Sequence, residues 1–255
     1  MIDDRGYFDW MEQHPGPADK VYSVRNSATI YLPHSAVGGY AGWASRLFSQ
    51  ARLPNGRYTD YAAASVHGWI FTTGKAWQHY PIFASCWASG SAYPNTNGVA
   101  FENESLYTNG VPDETKPLTP QQIATNARII GDLSDWHLRH GRVWVPRRPV
   151  AANDGGATEY EHNECVRFGS APTACPSRRV DWNAVNDQVT GEDDMKPFLA
   201  WSREENKVYF VGPGGAVWIP GSGGGPGPVF AELERIFGPM TVVLSRAALQ
   251  ALGAA

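Results

Sequence analysis

A chain of 255 residues in which 42% are hydrophobic and 18% charged can build one large domain, or a medium domain with a small companion. Its formal charge of −4 gives no general attraction to nucleic acid or to an anionic membrane, so neither is expected as a partner. No run approaches the roughly twenty apolar residues that span a bilayer, and three cysteines cannot all pair with one another.

The first fourteen residues, MIDDRGYFDWMEQH, lack the basic segment and apolar stretch of a secretory signal, so the protein is expected to be made soluble in the cytoplasm. Residues 1–27 are polar, with Pro15 and Pro17 interrupting any helix, and read as an irregular lead-in packed on the main domain. The apolar run 28–32 predicts a buried strand that delivers His34 to the edge of a sheet. Pro33, which has no ladder donor, is tolerated because it stands at the strand end. After Gly38 and Gly39, residues 40–50 predict a short helix with Trp43 and Leu47 on one face.

Residues 65–71 and 75–80 predict a hairpin, with Gly74 supplying the positive φ in its Thr72–Thr73–Gly74 loop and Pro81 ending the second strand. Residues 86–97 are rich in turn formers, and 98–102 read as another strand. Thr119, Pro120 and Gln122 supply an N-cap, a first-turn proline and a capping box. Ile123, Ala127, Ile130 and Leu133 then mark one helix face, and Gly141 its C-cap. His137 and His140, in the last turn, are expected at the surface, where a cation suits the helix dipole.

Residues 143–145 predict a short strand and 146–160 a loop at the rim of the site. The first domain is expected to close at residue 185, with an acidic linker over 186–197 containing Glu192, Asp193 and Asp194. Residues 198–255 read as a small α+β module. Its strands are expected at 198–201, 207–211 and 216–219, its helices at 229–237 and 245–252, with a flexible glycine-rich run at 221–228.

The chemistry concentrates in HNECVRFGSAPTACPSRRVDW, residues 162–182. His162 precedes Cys175 by thirteen residues, and Ala174 and Pro176 frame the cysteine in a tight loop. A thiolate and a neutral imidazole suit Zn²⁺, and three protein ligands with an open fourth position make a catalytic site. His34 is the candidate third ligand. Zinc lowers the pKa of bound water from 15.7 to about 7 and polarises a carbonyl, so amide hydrolysis follows from such a set. A small-loop disulfide between Cys165 and Cys175 is the alternative; a reduced cytoplasm favours the ligand role. Cys86 and Cys165 read as buried thiols.

The order of these features resembles the zinc amidase family that includes phage lysozymes and peptidoglycan recognition proteins. The strand IYLPHSA comes first, then the hairpin SVHGWIFTTGKAWQHYP, CWASG, GVAFENES, a helix opening LTPQQ, and a histidine followed by TACP. The similarity covers roughly residues 25–185 and is nearest to amidase modules of lysins from phages of mycobacteria and related actinobacteria. It implies an α/β fold with a mixed central β-sheet flanked by helices, and cleavage of the bond between N-acetylmuramic acid and L-alanine in bacterial peptidoglycan. It also implies either an endolysin held in the host cytoplasm before release or a virion-borne wall-degrading protein. Trp201, Tyr209 and Trp218 make cell-wall binding the first reading of the C-terminal module.

The resemblance places Thr173 opposite the metal-activated water. Two positions depart from it: Val66 stands where some relatives carry tyrosine, and Ala100 where others carry a basic glutamate. Glu102, two residues along the same strand, shares the face of position 100 and is the candidate proton acceptor. His67, in the hairpin motif, is a further catalytic candidate, and Glu164 a candidate partner for a ligand imidazole. Two competing readings are a peptidoglycan-binding module of the same fold without catalysis, and a cysteine peptidase using Cys86 with His79 or His67.

Overall fold

The computed structural model describes residues 1–49, 54–55, 65–142, 144 and 158–189, and the backbone of four further strands between 198 and 244. The lead-in carries β1 (Glu12–Gln13) and β2 (Val21–Tyr22), followed by β3 (Ile30–Ser35) and α1 (Tyr40–Leu47). The hairpin strands are β4 (Gly68–Ile70) and β5 (Ala76–Gln78). Next come β6 (Ser85–Cys86), α2 (Ala92–Asn97), β7 (Gly98–Asn103), β8 (Leu106–Thr108) and β9 (Val111–Asp113). Then follow α3 (Pro120–Arg139), β10 (Thr158–Glu159) and α4 (Trp182–Val189).

Six strands form one mixed sheet in the order β1-β5-β4-β7-β3-β10. Only the β4–β5 hairpin is antiparallel; the other neighbours run parallel. Alternation along the strands sends Tyr31, Val99, Phe101, Ile70 and Ala76 to one face, where they pack with Ala127, Ile130 and Leu133 of α3 and Val185 of α4. Ile30, Leu32 and Ala100 point the other way, onto Tyr160 and Cys165, with Trp43 of α1 and Tyr93 of α2 against them. This is the expected α/β architecture, a mixed sheet with helices on both faces. Among the described residues no helix is long and apolar enough to cross a membrane.

The lead-in is built into the domain. Phe8 lies in the core, its N–H donates to Gln78 Oε1 (2.8 Å), and β1 extends the sheet beyond β5. The expected hairpin forms, with Gly74 at φ +82° in its turn. Helix α3 starts as its sequence dictates: Thr119 Oγ1 accepts from Gln122 N (3.1 Å), and Gln122 Oε1 accepts from Thr119 N (3.1 Å).

Several expectations are corrected. The first strand starts at Ile30, because Ala28 sits at φ +55° with its N–H on Asn26 Oδ1 (2.8 Å), and it runs through Pro33 to Ser35. Thr29 and Tyr31 carbonyls accept from Thr158 and Tyr160 on the β10 side. Residue 33 faces the same way, past the end of β10, where the ladder needs no donor from it. Residues 92–97 form a short helix, with Pro94 inside its first turns. His137 is buried: its ring Nε2–H donates to the Ala28 carbonyl (2.7 Å) and ties the end of α3 to the start of β3. His140 is exposed, stacked on Trp136. Helix α4 continues to Val189, which packs on the core.

In the C-terminal part, β11 (Phe198–Ser202), β12 (Lys207–Gly212), β13 (Gly215–Trp218) and β14 (Val242–Leu244) form a sheet ordered β13-β12-β11-β14. The first three match the expected strands. Residues 143 and 145 of the expected strand, most of the rim loop, residues 190–197 of the linker, the glycine-rich run and the helices at 229–237 and 245–252 lie outside the described residues, as do the side chains of Trp201, Tyr209 and Trp218.

Three buried imidazoles set how the fold responds to acid. Burial holds His67, His79 and His137 down to about 4, from an ordinary value of 6.5. Between those values the unfolded chain binds more protons than the folded one, so stability rises with pH across that window. Stability is complete above pH 6.5 and falls as pH drops toward 4, by on the order of 2–3 kcal/mol per histidine. Urea midpoints at pH 7, 5.5 and 4.5 should decrease in that order, and His137→Gln should flatten the slope; a midpoint that holds steady on acidification contradicts this account.

Candidate metal centre

Strand β3 carries His34 to the C-terminal end of the sheet. The other two candidates come from irregular backbone. His162 opens a 3₁₀ turn, His162–Phe168, that is fixed at its start by Glu161 and Glu164. Glu164 Oε2 accepts from Glu161 N (2.7 Å) as part of a capping box, so the carboxylate proposed to orient a ligand imidazole caps the turn. Cys175 follows in a loop that is pinned to this turn by Asn163 N donating to the Cys175 carbonyl (2.8 Å).

One ligand atom from each of His34, His162 and Cys175 lies within 4.8 Å of the others. Cys175 Sγ is 3.8 Å from His34 Nδ1, and the two imidazole centroids are 4.6 Å apart. Tetrahedral Zn–N and Zn–S bonds would place N and S about 3.6 Å apart, close to that spacing. His162 Nε2–H donates to the Ser89 carbonyl (3.3 Å), which fixes the tautomer, and its Nδ1 is buried with no hydrogen-bond partner. His34 Nε2 is likewise buried and unpartnered. Burial lowers the pKa of both rings, with the His162 charge adding to the effect at His34, so both offer the neutral imidazole a metal needs. The unpartnered Nδ1 of His162, the Nδ1 of His34 that faces the sulfur, and the soft sulfur itself fit a thiophilic divalent ion.

Two bonds aim the sulfur. Ser35 N donates to Cys175 Sγ (3.2 Å), and Cys175 N donates to Thr173 Oγ1 (3.2 Å). Thr173 is thus beside the cluster and holds the ligand loop through its hydroxyl oxygen. In the absence of an ion, burial and then the charge of Glu102 push the Cys175 thiol up to about 12, so a metal that binds here displaces a proton.

Glu102 stands directly across the β3–β7 ladder from His34. Its Oε2 is buried with no hydrogen-bond partner, and burial pushes the carboxyl up to about 8 against the opposing pull of Arg179 and Arg46. On its other side Trp69 is the register partner in β4.

His67 is not part of this group. Its Nε2–H donates to the Ala84 carbonyl (2.8 Å) and its Nδ1 accepts from Ala100 N (3.0 Å), so both nitrogens are spent on backbone and the catalytic role is withdrawn. The same bonds remove it as a base for Cys86, a fully buried thiol held well above its ordinary pKa. His79 Nδ1–H donates to the His14 carbonyl (2.7 Å). All three cysteines are free, and Cys165 is buried beneath the 3₁₀ turn, so the Cys165–Cys175 disulfide is absent. Sequence reading missed Ser89, which acts through its carbonyl and leaves no side-chain signal, and Arg179, considered below.

No protein-family model matches the sequence, and no curated protein matches it. Among solved structures, a selenomethionine derivative of AmpD shares 18% identity over 74% of this chain and 99% of its own, with a TM-score of 0.47. The Staphylococcus aureus hydrolase AmiA in complex with its ligand shares 13% over 71% and 84%, with a TM-score of 0.46. The N-acetylmuramoyl-L-alanine amidase LysC from Clostridium intestinale URNW shares 11% over 71% and 98%, with a TM-score of 0.44. The chemistry of the site therefore has to come from its own atoms.

Elemental analysis of the purified chain should find one divalent metal per molecule, lost in His162→Ala and in Cys175→Ser but kept in Cys86→Ser. Retention in the first two, or loss in the third, would place the metal elsewhere.

Proposed function

We propose that this chain is a zinc-dependent N-acetylmuramoyl-L-alanine amidase acting on bacterial peptidoglycan as a phage endolysin. The observation that carries the reading is the convergence of His34, His162 and Cys175 beside a buried, unpartnered carboxylate oxygen of Glu102. The muramoyl-alanine bond, the wall substrate and the phage setting come from the resemblance of the motif order, residues 25–185.

When bound, zinc supplies a Lewis acid for the scissile carbonyl and makes water acidic enough to be deprotonated near neutral pH. The rest of the work falls to the chain. Ser89 holds His162 in the tautomer that leaves Nδ1 free, and Ser35 and Thr173 hold the Cys175 loop. Glu102 Oε2 takes the proton of the attacking water and returns it to the leaving amine. A carboxyl whose pKa burial raises toward neutrality can do both at one pH. In this reading Thr173 also faces the attacking water, and the C-terminal module, 198–255, holds the protein on the wall.

The test is the release of new amino termini from purified actinobacterial peptidoglycan, with Glu102→Gln as the diagnostic variant. Its zinc content should equal that of the wild type while turnover falls about 10²- to 10⁴-fold, the usual contribution of a general base. Full activity in Glu102→Gln removes Glu102 from the mechanism, and a wild type that binds wall without cleaving it makes the protein a binding module.

A further inference from the structure

Among the described residues Arg179 is the largest fully buried charged side chain, 1% exposed, four residues after the ligand Cys175. Burying a guanidinium is costly unless its donors are satisfied and its charge is balanced. Its donors are satisfied from three separate segments. Nη1 donates to Ser35 Oγ (2.6 Å), Nε to the Lys116 carbonyl (2.8 Å) and Nη2 to the Glu104 carbonyl (3.1 Å). All three acceptors are neutral, and among the described residues no carboxylate forms an ion pair with it.

The three segments are the ones the site has to bring together. Ser35 adjoins His34 at the end of β3, and its own N–H is the donor to Cys175 Sγ. Glu104 follows Glu102 past the end of β7, and Lys116 precedes α3. The backbone on either side of the guanidinium is fixed as well: Arg179 N donates to the Pro176 carbonyl (3.1 Å), and Leu118 N to the Arg179 carbonyl (3.0 Å). Ser177 and Arg178 form a turn at φ +59° that swings the chain from the cysteine back to this anchor.

We infer that Arg179 is a positioning residue of the metal centre, which locks the Cys175 loop to the ends of β3 and β7 and so sets the sulfur against His34. The inference rests on the reading of His34, His162 and Cys175 as metal ligands. Its planar fork reaches three acceptors at once; a lysine ammonium has the charge without the fork.

The experiment measures zinc affinity of the full chain by chelator competition, and the visible spectrum of the cobalt(II) form, for wild type, Arg179→Lys and Ser35→Ala. Ser35→Ala removes one arm of the clamp and leaves the Ser35 N–H in place, so it stays informative if Arg179→Lys does not fold. Zinc binding should weaken about tenfold or more in Arg179→Lys and measurably in Ser35→Ala, as for other groups that orient metal ligands. The cobalt bands should shift in both, with the fold retained by circular dichroism. Wild-type zinc affinity and an unshifted cobalt spectrum in folded variants overturn the inference, even if thermal stability drops, since that would leave Arg179 a scaffold residue only. A wild type that binds neither ion overturns the ligand reading and this inference with it.

Discussion

The parallel register of β3 on β7 is the constraint on which the site depends. It sets His34 beside Glu102 and sends both to the face that carries His162 and Cys175. A slip of one residue would turn His34 toward α3 and present Pro33 to His162 and Cys175. Burial on both faces forbids that slip, since Tyr31, Val99 and Phe101 fill the α3 side while Ile30, Leu32 and Ala100 fill the other. Neighbouring backbone is fitted to the same register. A Cβ on Gly68 would overlap the ring of Phe101 and the carbonyl of Trp77, so only glycine passes there.

A buried polar chain then ties the main helix to the ligand strand. Tyr31 Oη donates to Asn126 Oδ1 (2.5 Å), Asn126 Nδ2 to Asn103 Oδ1 (2.9 Å), and Asn103 Nδ2 to the His34 carbonyl (3.1 Å). Gln122, whose Oε1 closes the capping box of α3, reaches with Nε2 to the Glu104 carbonyl (3.0 Å). Satisfied groups of this kind specify one arrangement, because any other leaves buried donors without acceptors. Helix α3 thus braces the sheet from beneath and fixes the backbone of His34 and of the segment after Glu102 from the face opposite His162 and Cys175.

What could be read from the sequence was what depends on side-chain type and period. Two histidines and a cysteine announce metal chemistry by their donor atoms. Glu102 follows from strand alternation, and α3 from Thr119, Pro120 and Gln122. Roles decided by backbone partners could not be read. His67 has the motif position of a site residue, yet the Ala84 carbonyl and the Ala100 N–H consume its ring. His137 has the position of a surface cap, yet Ala28, more than a hundred residues away, draws it inside. Helix α2 was hidden by the Ser, Pro and Asn of its own sequence, residues that mark turns as readily as first helical turns. Arg179 lay in plain view after a second arginine, with nothing local to say which of the two is buried.

The three proposed ligands come from a strand, a 3₁₀ turn and a loop, with His34 and Cys175 separated by 141 positions. Between Phe168 and Trp182 the chain has no helix or strand of its own to hold it down. In the proposed reading, a metal coordinated across the interval from His34 to Cys175 would close a loop of that length, and the chain entropy so removed is a term that grows with loop length. A metal held there would therefore also act as a clasp. The three side chains proposed to hold the metal would then tie the last third of the domain to the first, beside the hydrogen bonds that Arg179 and Asn163 already make there.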